Sequence, residues 1–392
     1  MKRRRRHRRT RSASRLALLL SLALGPPGGG LLGQSVANNP YRAVHDWPRL
    51  PEGRELGVVS GIKPDPDGEH LWILERCGAN QCAHSPLEPI HKFDLDGNIV
   101  ASIGAGLFAW PHGFDVDDEG NIWVTEGAPV ADPRGEPGFA MGIGHQVFKL
   151  SPDGEILMTL GEAGVAGDDK THFNGPASVL VAPNGEVWVA DGHRSGNNRV
   201  VKFSPAGDFI FQLGGAGAVG GCAHAAPDGI APSCPPPQPV TNPVPGAGGV
   251  HSASGDRGRF YDLHDLAMDR RGRLFVADRG NNRIQVFRQD GTLVAVWTQF
   301  GKPSGIAIDG DDTIYVVDGM SGGEWSGRAW NPGWERGIRI GDAETGWISA
   351  FIPDSEVATG SSMEFVGVDR DGNIYGGDVG RRRLVRFVRV RP

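Results

Sequence analysis

The sequence contains no long hydrophobic run. The nearest approach is LALLLSLALG at residues 16–25, whereas an α-helix needs about 20 apolar residues to cross a bilayer. We therefore expect no stable membrane span. The serine nucleophile elbow, the phosphate-binding P-loop and the dinucleotide fingerprint do not occur in the strand–helix setting that each requires. The chemistry of this protein must therefore be sought elsewhere.

Acidic residues are absent from the first 37 positions. MKRRRRHRRTRSASR carries nine Lys and Arg residues, the apolar run follows, and SVA at 35–37 offers small residues for cleavage. This order is that of a secretory signal. We predict a signal peptide over 1–37, cleaved near Ala37, and a secreted or periplasmic mature protein over 38–392. Sec and twin-arginine export both stay open.

The mature chain lacks basic residues relative to acidic ones. Removing nine of the 40 Lys and Arg residues leaves 31 against 46 Asp and Glu, a formal net charge of −15. An acidic surface repels phosphate backbones and anionic lipids. We therefore expect neither nucleic acid nor an anionic membrane as a partner.

Cysteine is scarce, with four residues in the whole chain. They fall as two close pairs, Cys77 with Cys82 and Cys222 with Cys234. In an exported protein such pairs predict two disulfides that close small loops. A site in which cysteines alone bind a metal is the weaker interpretation, because neither pair has the C-x-x-C spacing.

Residues that favour helices are also under-represented, whereas there are 60 Gly and 29 Pro. From residue 57 onward one pattern recurs six times: an apolar strand, a polar turn, a second strand ending in an acid, and two further strands. The second strands read LWILE, IWVTE, VWVAD, LFVAD, IYVVD and IYGGD. Four strands per unit at a period of roughly 40–50 residues predict an all-β, six-bladed β-propeller.

The sixth unit lacks its fourth strand, and YRAVHDWPRL at 41–50 is available to supply it and close the ring. A closed ring exposes few strand edges, so we expect a monomer. Two segments interrupt the repeat: a Pro- and Gly-rich insert at 215–258, and a loop at 320–337 with Trp325, Trp330 and Trp334. Each is either a surface excursion or a rim of the binding face.

One position in each repeat faces the central channel. Counting back 14 residues from the acid that ends each second strand gives, in order, Gly61, His112, Ala177, His264, Ser304 and Glu364. Three potential ligands therefore alternate with three small residues around the axis. Two histidines and a carboxylate predict a catalytic Zn²⁺ site, although Fe²⁺ or another first-row metal suits the same ligands. Polar, hydrated channel mouths without a metal are the alternative.

Residues that follow the second strands lie at the same mouth. Arg76 and Arg279 are placed to bind a carboxylate, or else to pair with neighbouring acids. His193 is placed to act as a general acid or base, or else to bond to the backbone. We predict His193, Arg76 and Arg279 as catalytic or substrate-binding residues, and a small-molecule or peptide substrate with a carboxylate.

The segments PHGFDVDDEGNIWVTEG, GHQVFKLSPDG, VWVADGHRSGNNRVVKFSPAGDF and LHDLAMDRRGRLFVADRGNNRIQVF resemble NHL-repeat propellers. More closely, the chain from roughly 57 to 389 resembles the peptidyl-α-hydroxyglycine α-amidating lyase family. That resemblance implies a zinc enzyme that cleaves a carbinolamine C–N bond to give an amide and glyoxylate. It implies His112 and His264 as zinc ligands, with Arg76 and Arg279 positioning the substrate.

The chain departs from this family at three positions. Glu364 occupies the third histidine position, and His193 occupies the place of the catalytic tyrosine. Phe365 stands where the family has an acid that binds structural calcium, which speaks against Ca²⁺.

Two hypotheses follow. The first is a metal-dependent lyase of the amidating-lyase type, in which His112, His264 and Glu364 hold the metal; hydrolysis or iron-dependent oxidation at these ligands is a variant of it. The second is a non-catalytic propeller that binds a protein, peptide or glycan through its open face, with the insert and the tryptophan loop as contacts.

Overall fold

The computed structural model describes residues 38–127, 142–193, 196–215, 259–321, 334–354 and 362–390, together with the backbone of 324–325 and 328–329. The predicted signal peptide and nearly all of the 215–258 insert lie outside these residues. Among the described residues, no helix has the length and apolar character needed to cross a membrane.

The two predicted disulfides have different outcomes. The bond between Cys77 and Cys82 is present, with their Cα atoms 5.0 Å apart, so this prediction is confirmed. Cys222 and Cys234 both lie in the insert, outside the described residues. The structure therefore does not show the disulfide between Cys222 and Cys234, and that bond stays a prediction.

The described part of the chain is built almost entirely of short strands. In chain order they are β1 (Tyr41–Val44), β2 (Val59–Pro64), β3 (His70–Glu75), β4 (Ile90–Asp94), β5 (Ile99–Ile103), β6 (Pro111–Val116), β7 (Ile122–Glu126), β8 (Gln146–Leu150), β9 (Ile156–Leu160), β10 (Pro176–Val181), β11 (Val187–Asp191), β12 (Arg199–Phe203), β13 (Phe209–Gly214), β14 (Leu263–Met268), β15 (Leu274–Asp278), β16 (Arg283–Phe287), β17 (Leu293–Trp297), β18 (Gly305–Ile308), β19 (Thr313–Asp318), β20 (Glu324–Trp325), β21 (Arg328–Ala329), β22 (Gly337–Asp342), β23 (Ile348–Pro353), β24 (Met363–Val368), β25 (Ile374–Asp378) and β26 (Arg383–Arg389). One 3₁₀ turn spans Arg279–Asn281.

These strands form six four-stranded antiparallel sheets, which are the six blades that the sequence predicts. Blades 1 to 4 are β2–β5, β6–β9, β10–β13 and β14–β17, and blade 5 is β18-β19-β22-β23. Blade 5 carries an additional short hairpin within the predicted tryptophan loop, formed by the two-residue strands β20 and β21. In blade 6, β24, β25 and β26 are completed by β1, whose Tyr41 pairs with Arg389. The predicted closure of the ring by the N-terminal segment is thus confirmed.

The acid at the end of each second strand does not face the channel. In blades 1 to 5 its buried carboxylate accepts the backbone N–H of a residue in the loop that leads into the innermost strand of the same blade, and in blade 6 Asp378 accepts hydrogen bonds from Arg381 and Arg383. Glu126 accepts Ala109 and Trp110 at 2.8 and 2.9 Å, and Asp278 accepts Tyr261 at 2.9 Å. This repeated interaction fixes the loops at the channel mouth.

The strand register corrects the channel-facing position of blade 1. In blades 2, 3, 4 and 6 the channel residue immediately follows the residue paired with the terminal acid, at a bulge. In blade 1 Glu75 pairs with Val59, so the equivalent residue is Ser60 and the prediction of Gly61 was wrong by one. The reason is local, because the turn from Asp65 to Trp72 is one residue longer than the turn from Asp117 to Trp123.

The hypothesis that Trp325, Trp330 and Trp334 contact a partner needs correction at Trp334. Trp334 is buried in the core beside Phe300 and Ala343, with the Arg339 guanidinium 4.9 Å from its ring. It therefore stabilises blade 5 and is not available for contact with a partner. The side chain of Trp325 and the whole of Trp330 lie outside the described residues.

The segment that closes the ring is anchored by Trp47. Its side chain is buried, its ring centroid lies 4.7 Å from that of Tyr375 in blade 6 and 5.5 Å from that of Phe93 in blade 1, and its indole N–H donates to the Leu95 carbonyl at 3.3 Å. Trp47 therefore joins the first and last blades.

We expect Trp47→Ala to lower the free energy of unfolding by about 3–5 kcal/mol, because a large buried side chain is removed at the seam between blades. Urea denaturation followed by circular dichroism measures this loss. The matched control is Trp347→Ala, which removes a side chain that is 53% exposed and should change stability by less than about 1 kcal/mol. Equal losses in the two variants would contradict the role of Trp47.

Candidate metal centre

His112 and His264 lie at bulges near the start of β6 and β14, and both side chains are buried. The Nδ1 of His112 donates to the carbonyl of Ala177 at 2.7 Å, and the Nδ1 of His264 donates to the carbonyl of Ser304 at 3.1 Å. A carbonyl oxygen can only accept a hydrogen bond, so Nδ1 carries the proton in each neutral ring. The other nitrogen, Nε2, then has a lone pair that can bind a metal. The small residues of blades 3 and 5 thus orient the histidines of blades 2 and 4.

The electrostatics of the mouth keep His112 neutral. Burial is the main reason that the pKa of His112 lies well below its usual value, and nearby His264 and the Arg76 guanidinium lower it further. A neutral imidazole is the form that binds a metal. The environment therefore prepares His112 as a ligand at every physiological pH.

His193 reaches the same place from the loop after β11. Its ring centroid lies 4.4 Å from that of His112 and 5.4 Å from that of His264. One nitrogen of each of the three histidines lies within 4.8 Å of the other two. The backbone N–H of His193 donates to the carbonyl of Gly175 at 2.9 Å, which fixes this loop. The sequence predicted that His193 lies at the channel mouth but did not predict how close it is to both His112 and His264.

Glu364 completes the group from β24. Its Oε2 lies 3.2 Å from Nε2 of His264 and accepts a hydrogen bond from Nη1 of Arg279 at 3.3 Å. The Nε2 of His264 is buried and makes no hydrogen bond. With the ring proton on Nδ1, the buried Nε2 of His264 keeps an unused lone pair beside a carboxylate, an arrangement that a nearby cation or a proton stabilises.

Arg279 lies on the 3₁₀ turn after β15 and is held by two carboxylates. Its Nε and Nη2 donate to both oxygens of Asp262 at 3.0 and 3.1 Å, in addition to the bond to Glu364. Burial alone would lower the pKa of Arg279, but Asp262 and Glu364 outweigh burial and raise it. The predicted role of Arg279 in substrate binding therefore competes with its bonds within the protein.

Arg76 is held differently. Its Nε donates to the carbonyl of Pro111 at 3.0 Å and its Nη1 to Oδ1 of Asn80 at 2.7 Å. Its guanidinium lies 4.1 Å from the ring of Trp110, which in turn stacks on His193 at 5.4 Å. The disulfide that begins at the next residue, Cys77, closes this loop.

Sequence reasoning missed Trp110, Asp262 and Lys302, each of which lies two residues before a channel-facing position. Each lies in the loop before the innermost strand, 16 residues before the acid that ends the second strand of its blade, so the same count from that acid could have identified them. Lys302 is buried, and its Nζ donates to the carbonyl of Arg279 at 3.0 Å. It therefore supports the turn that carries Arg279.

Comparisons with known proteins agree with this architecture. The NHL repeat model matches residues 173–203 and 260–287. The chain is 32% identical over 260 residues to peptidyl-glycine alpha-amidating monooxygenase B of Xenopus laevis, covering 62% of this chain and 24% of the relative. It is 31% identical over 196 residues to peptidyl-alpha-hydroxyglycine alpha-amidating lyase 1 of Drosophila melanogaster, covering 45% and 32% respectively. The chain thus matches only about a quarter of the length of the first of these relatives.

A solved structure named for gluconolactonase matches with a TM-score of 0.52 at 13% identity, covering 90% of this chain and 93% of that chain, and shows the fold alone. Together with the blades described above, these findings define a six-bladed β-propeller that contains NHL repeats at residues 173–203 and 260–287. Within that class, the chain resembles the peptidyl-α-hydroxyglycine α-amidating lyase family, as its sequence motifs predicted.

The pKa of Lys302 is lowered to about 8, mainly by burial and next by Arg279, from an ordinary 10.5. Below pH 8 Lys302 is charged in both the folded and the unfolded chain, and the folded state bears the full cost of burying that charge. Between pH 8 and 10.5 Lys302 loses its proton in the folded state but keeps it in the unfolded state, so the free energy of unfolding of the wild type rises with pH. We expect the free energy of unfolding of the wild type, relative to that of Lys302→Met, to rise by at most about 3 kcal/mol between pH 7 and 10.

Urea denaturation at several pH values measures this difference. The matched control is Lys170→Met, which removes an exposed lysine and should follow the wild type at every pH. A difference between wild type and Lys302→Met that stays constant from pH 7 to 10 would show that Lys302 is not a charged buried group.

Proposed function

We propose that this protein is an exported, metal-dependent lyase that cleaves the C–N bond of a carbinolamine bearing a carboxylate. The observation that carries the proposal is the buried Nε2 of His264, which makes no hydrogen bond and belongs to a group of three imidazoles beside Glu364. A bound cation would satisfy this group, and the named lyases among the relatives indicate the class of reaction.

The residues present fit a first-row metal. His112 and His264 offer oriented Nε2 atoms, and either His193 or Glu364 can supply a third ligand. Zn²⁺ is the ion we propose, with Fe²⁺ as the alternative, since imidazole and carboxylate suit both. When bound, such an ion supplies a Lewis acid that lowers the pKa of a coordinated hydroxyl.

The proposed substrate is an N-acyl-α-hydroxyglycine. Loss of the hydroxyl proton lets the oxygen form a carbonyl while the C–N electron pair leaves with nitrogen, which takes up a proton. The products are a primary amide and glyoxylate, so no oxidant is required. Of His193 and Glu364, the one that does not bind the metal is the group that can exchange these protons.

Arg279 already donates to the carboxylates of Asp262 and Glu364. The guanidinium of Arg76 lies against the ring of Trp110, which stacks on His193, so Arg76 borders the group of three histidines. We therefore assign the substrate carboxylate to Arg76, with Arg279 holding Glu364 in place.

Export is supported by the basic and apolar segment 1–37 and by the disulfide Cys77–Cys82, which requires an oxidising compartment. The closed ring of blades supports a monomer. The non-catalytic alternative gains no specific support from the described residues, because Trp334 is buried.

The direct test is to incubate the purified protein with ZnCl₂ and N-benzoyl-α-hydroxyglycine and to measure benzamide and glyoxylate. We expect equal amounts of the two products, and loss of both metal and turnover in a His112→Ala/His264→Ala variant. Trp347→Ala, which changes an exposed side chain, is the matched control and should retain both. Absence of turnover from a folded, zinc-loaded wild type would refute the proposed reaction.

Arg76→Ala should lower kcat/KM for N-benzoyl-α-hydroxyglycine by about 10²–10³-fold, because a charge-assisted bidentate interaction with the carboxylate is lost. The corresponding α-hydroxyglycinamide, which has no carboxylate, should lose less than about tenfold. Steady-state kinetics with both substrates measure the ratio. An equal loss for the acid and the amide would assign Arg76 a structural role only.

A further inference from the structure

We propose that the third metal ligand is His193, and that Glu364 remains bonded to Arg279 outside the coordination shell. The centre would then consist of three histidines from three consecutive blades, His112, His193 and His264. This inference rests on the metal dependence in the proposed function, and it replaces the sequence prediction that Glu364 binds the metal.

The first argument is distance. Three nitrogen atoms that are at most 4.8 Å apart have a common centre about 2.8 Å from each of them. Zn–N bonds are about 2.0–2.1 Å, so each ring needs to move by only about 0.7 Å. Rotations of the side chains at the loop-borne His193 and at the two bulges accommodate a movement of this size without a change in the blades.

The second argument is the orientation of the rings. A ligating histidine usually directs its other ring nitrogen to an oxygen of the protein, which fixes the tautomer and raises the basicity of the ligand. Nδ1 of His112 and Nδ1 of His264 bond to carbonyls, which leaves Nε2 of each ring to bind the metal. Nδ1 of His193 accepts a hydrogen bond from Nη2 of Arg279 at 3.4 Å and lies 3.6 Å from Oδ1 of Asp262, so Arg279 and Asp262 fix the orientation of this third ring.

The third argument is that the oxygen of Glu364 nearest the centre is already used. Oε2 is the atom that lies 3.2 Å from His264, and the same atom accepts the bond from Nη1 of Arg279. Binding a metal through Oε2 would weaken one of the two carboxylate interactions that hold the buried Arg279. If Glu364 stays outside the coordination shell, its negative charge remains paired with the guanidinium of Arg279.

The architecture of blade 3 explains why its ligand is displaced from the channel-facing position. That position is Ala177, whose carbonyl is needed to orient His112 and whose side chain is too short to bind. Blade 3 instead reaches the centre from its loop: Gly175 accepts the backbone N–H of both Gly192 and His193, which places the His193 ring beside His112.

The test uses the full exported chain, stripped with chelator and reloaded with ZnCl₂ or CoCl₂. Metal content after dialysis is measured by mass spectrometry, affinity by competition with a chromogenic chelator, and ligand number by the visible absorption of the Co²⁺ form. We expect His193→Ala to weaken metal binding by at least about 100-fold. We expect Glu364→Gln to keep one metal per chain, with affinity within about tenfold of wild type and an unchanged Co²⁺ spectrum.

The reverse result, metal lost in Glu364→Gln and kept in His193→Ala, would overturn the inference, as would loss in both variants or retention in both. Thermal unfolding of each metal-free variant shows whether it is folded, and His193→Asn, which keeps a polar group of smaller volume, serves if His193→Ala is not. A wild type that binds no metal would refute the proposed function itself. Metal bound without lyase turnover would refute only the reaction.

Discussion

A buried carboxylate at the end of the second strand is the interaction on which the channel mouth depends. Glu75, Glu126, Asp191, Asp278 and Asp318 each accept a backbone N–H from the loop that precedes the innermost strand of the same blade. The partner lies 16 to 18 residues back along the chain in every case. Because the loop is held two or three residues before the innermost strand begins, the start of that strand is fixed in each blade, and side chains from different blades meet at the channel mouth.

These carboxylates are buried away from water, so the folded state is stable only if each of them is fully hydrogen-bonded. Burial raises the pKa of Asp278, although the Arg283 guanidinium lowers it in part, and the same balance holds at Asp191 with Arg199. Each of these acids also bonds to a side-chain amide, Asn281 and Asn197 respectively. Asp278 and Asp191 therefore stabilise the structure and do not act as catalytic groups, even though they lie close to the channel mouth.

The sequence was sufficient for the fold because the repeat is periodic and each blade buries its strands in the same way. It was also sufficient for the positions of His112, His264 and Glu364, because their distance from the terminal acid is set by one strand, one turn and the next strand. The same count failed in blade 1, where one additional residue in the turn shifts the position from Gly61 to Ser60. The sequence also placed His193 at the channel mouth, but its distance from His112 and His264 could not be derived, because it depends on the path of a loop and on a bond to Gly175.

The pairing of β1 with β26 has a consequence for the synthesis of the chain. The β1 strand leaves the ribosome long before its partner, since Tyr41 pairs with Arg389, and the incomplete ring exposes unpaired strand edges for most of translation. His112, His193 and His264, by contrast, are all made before blade 5 begins. The three imidazoles can therefore come together on an open arc of blades, before the ring closes.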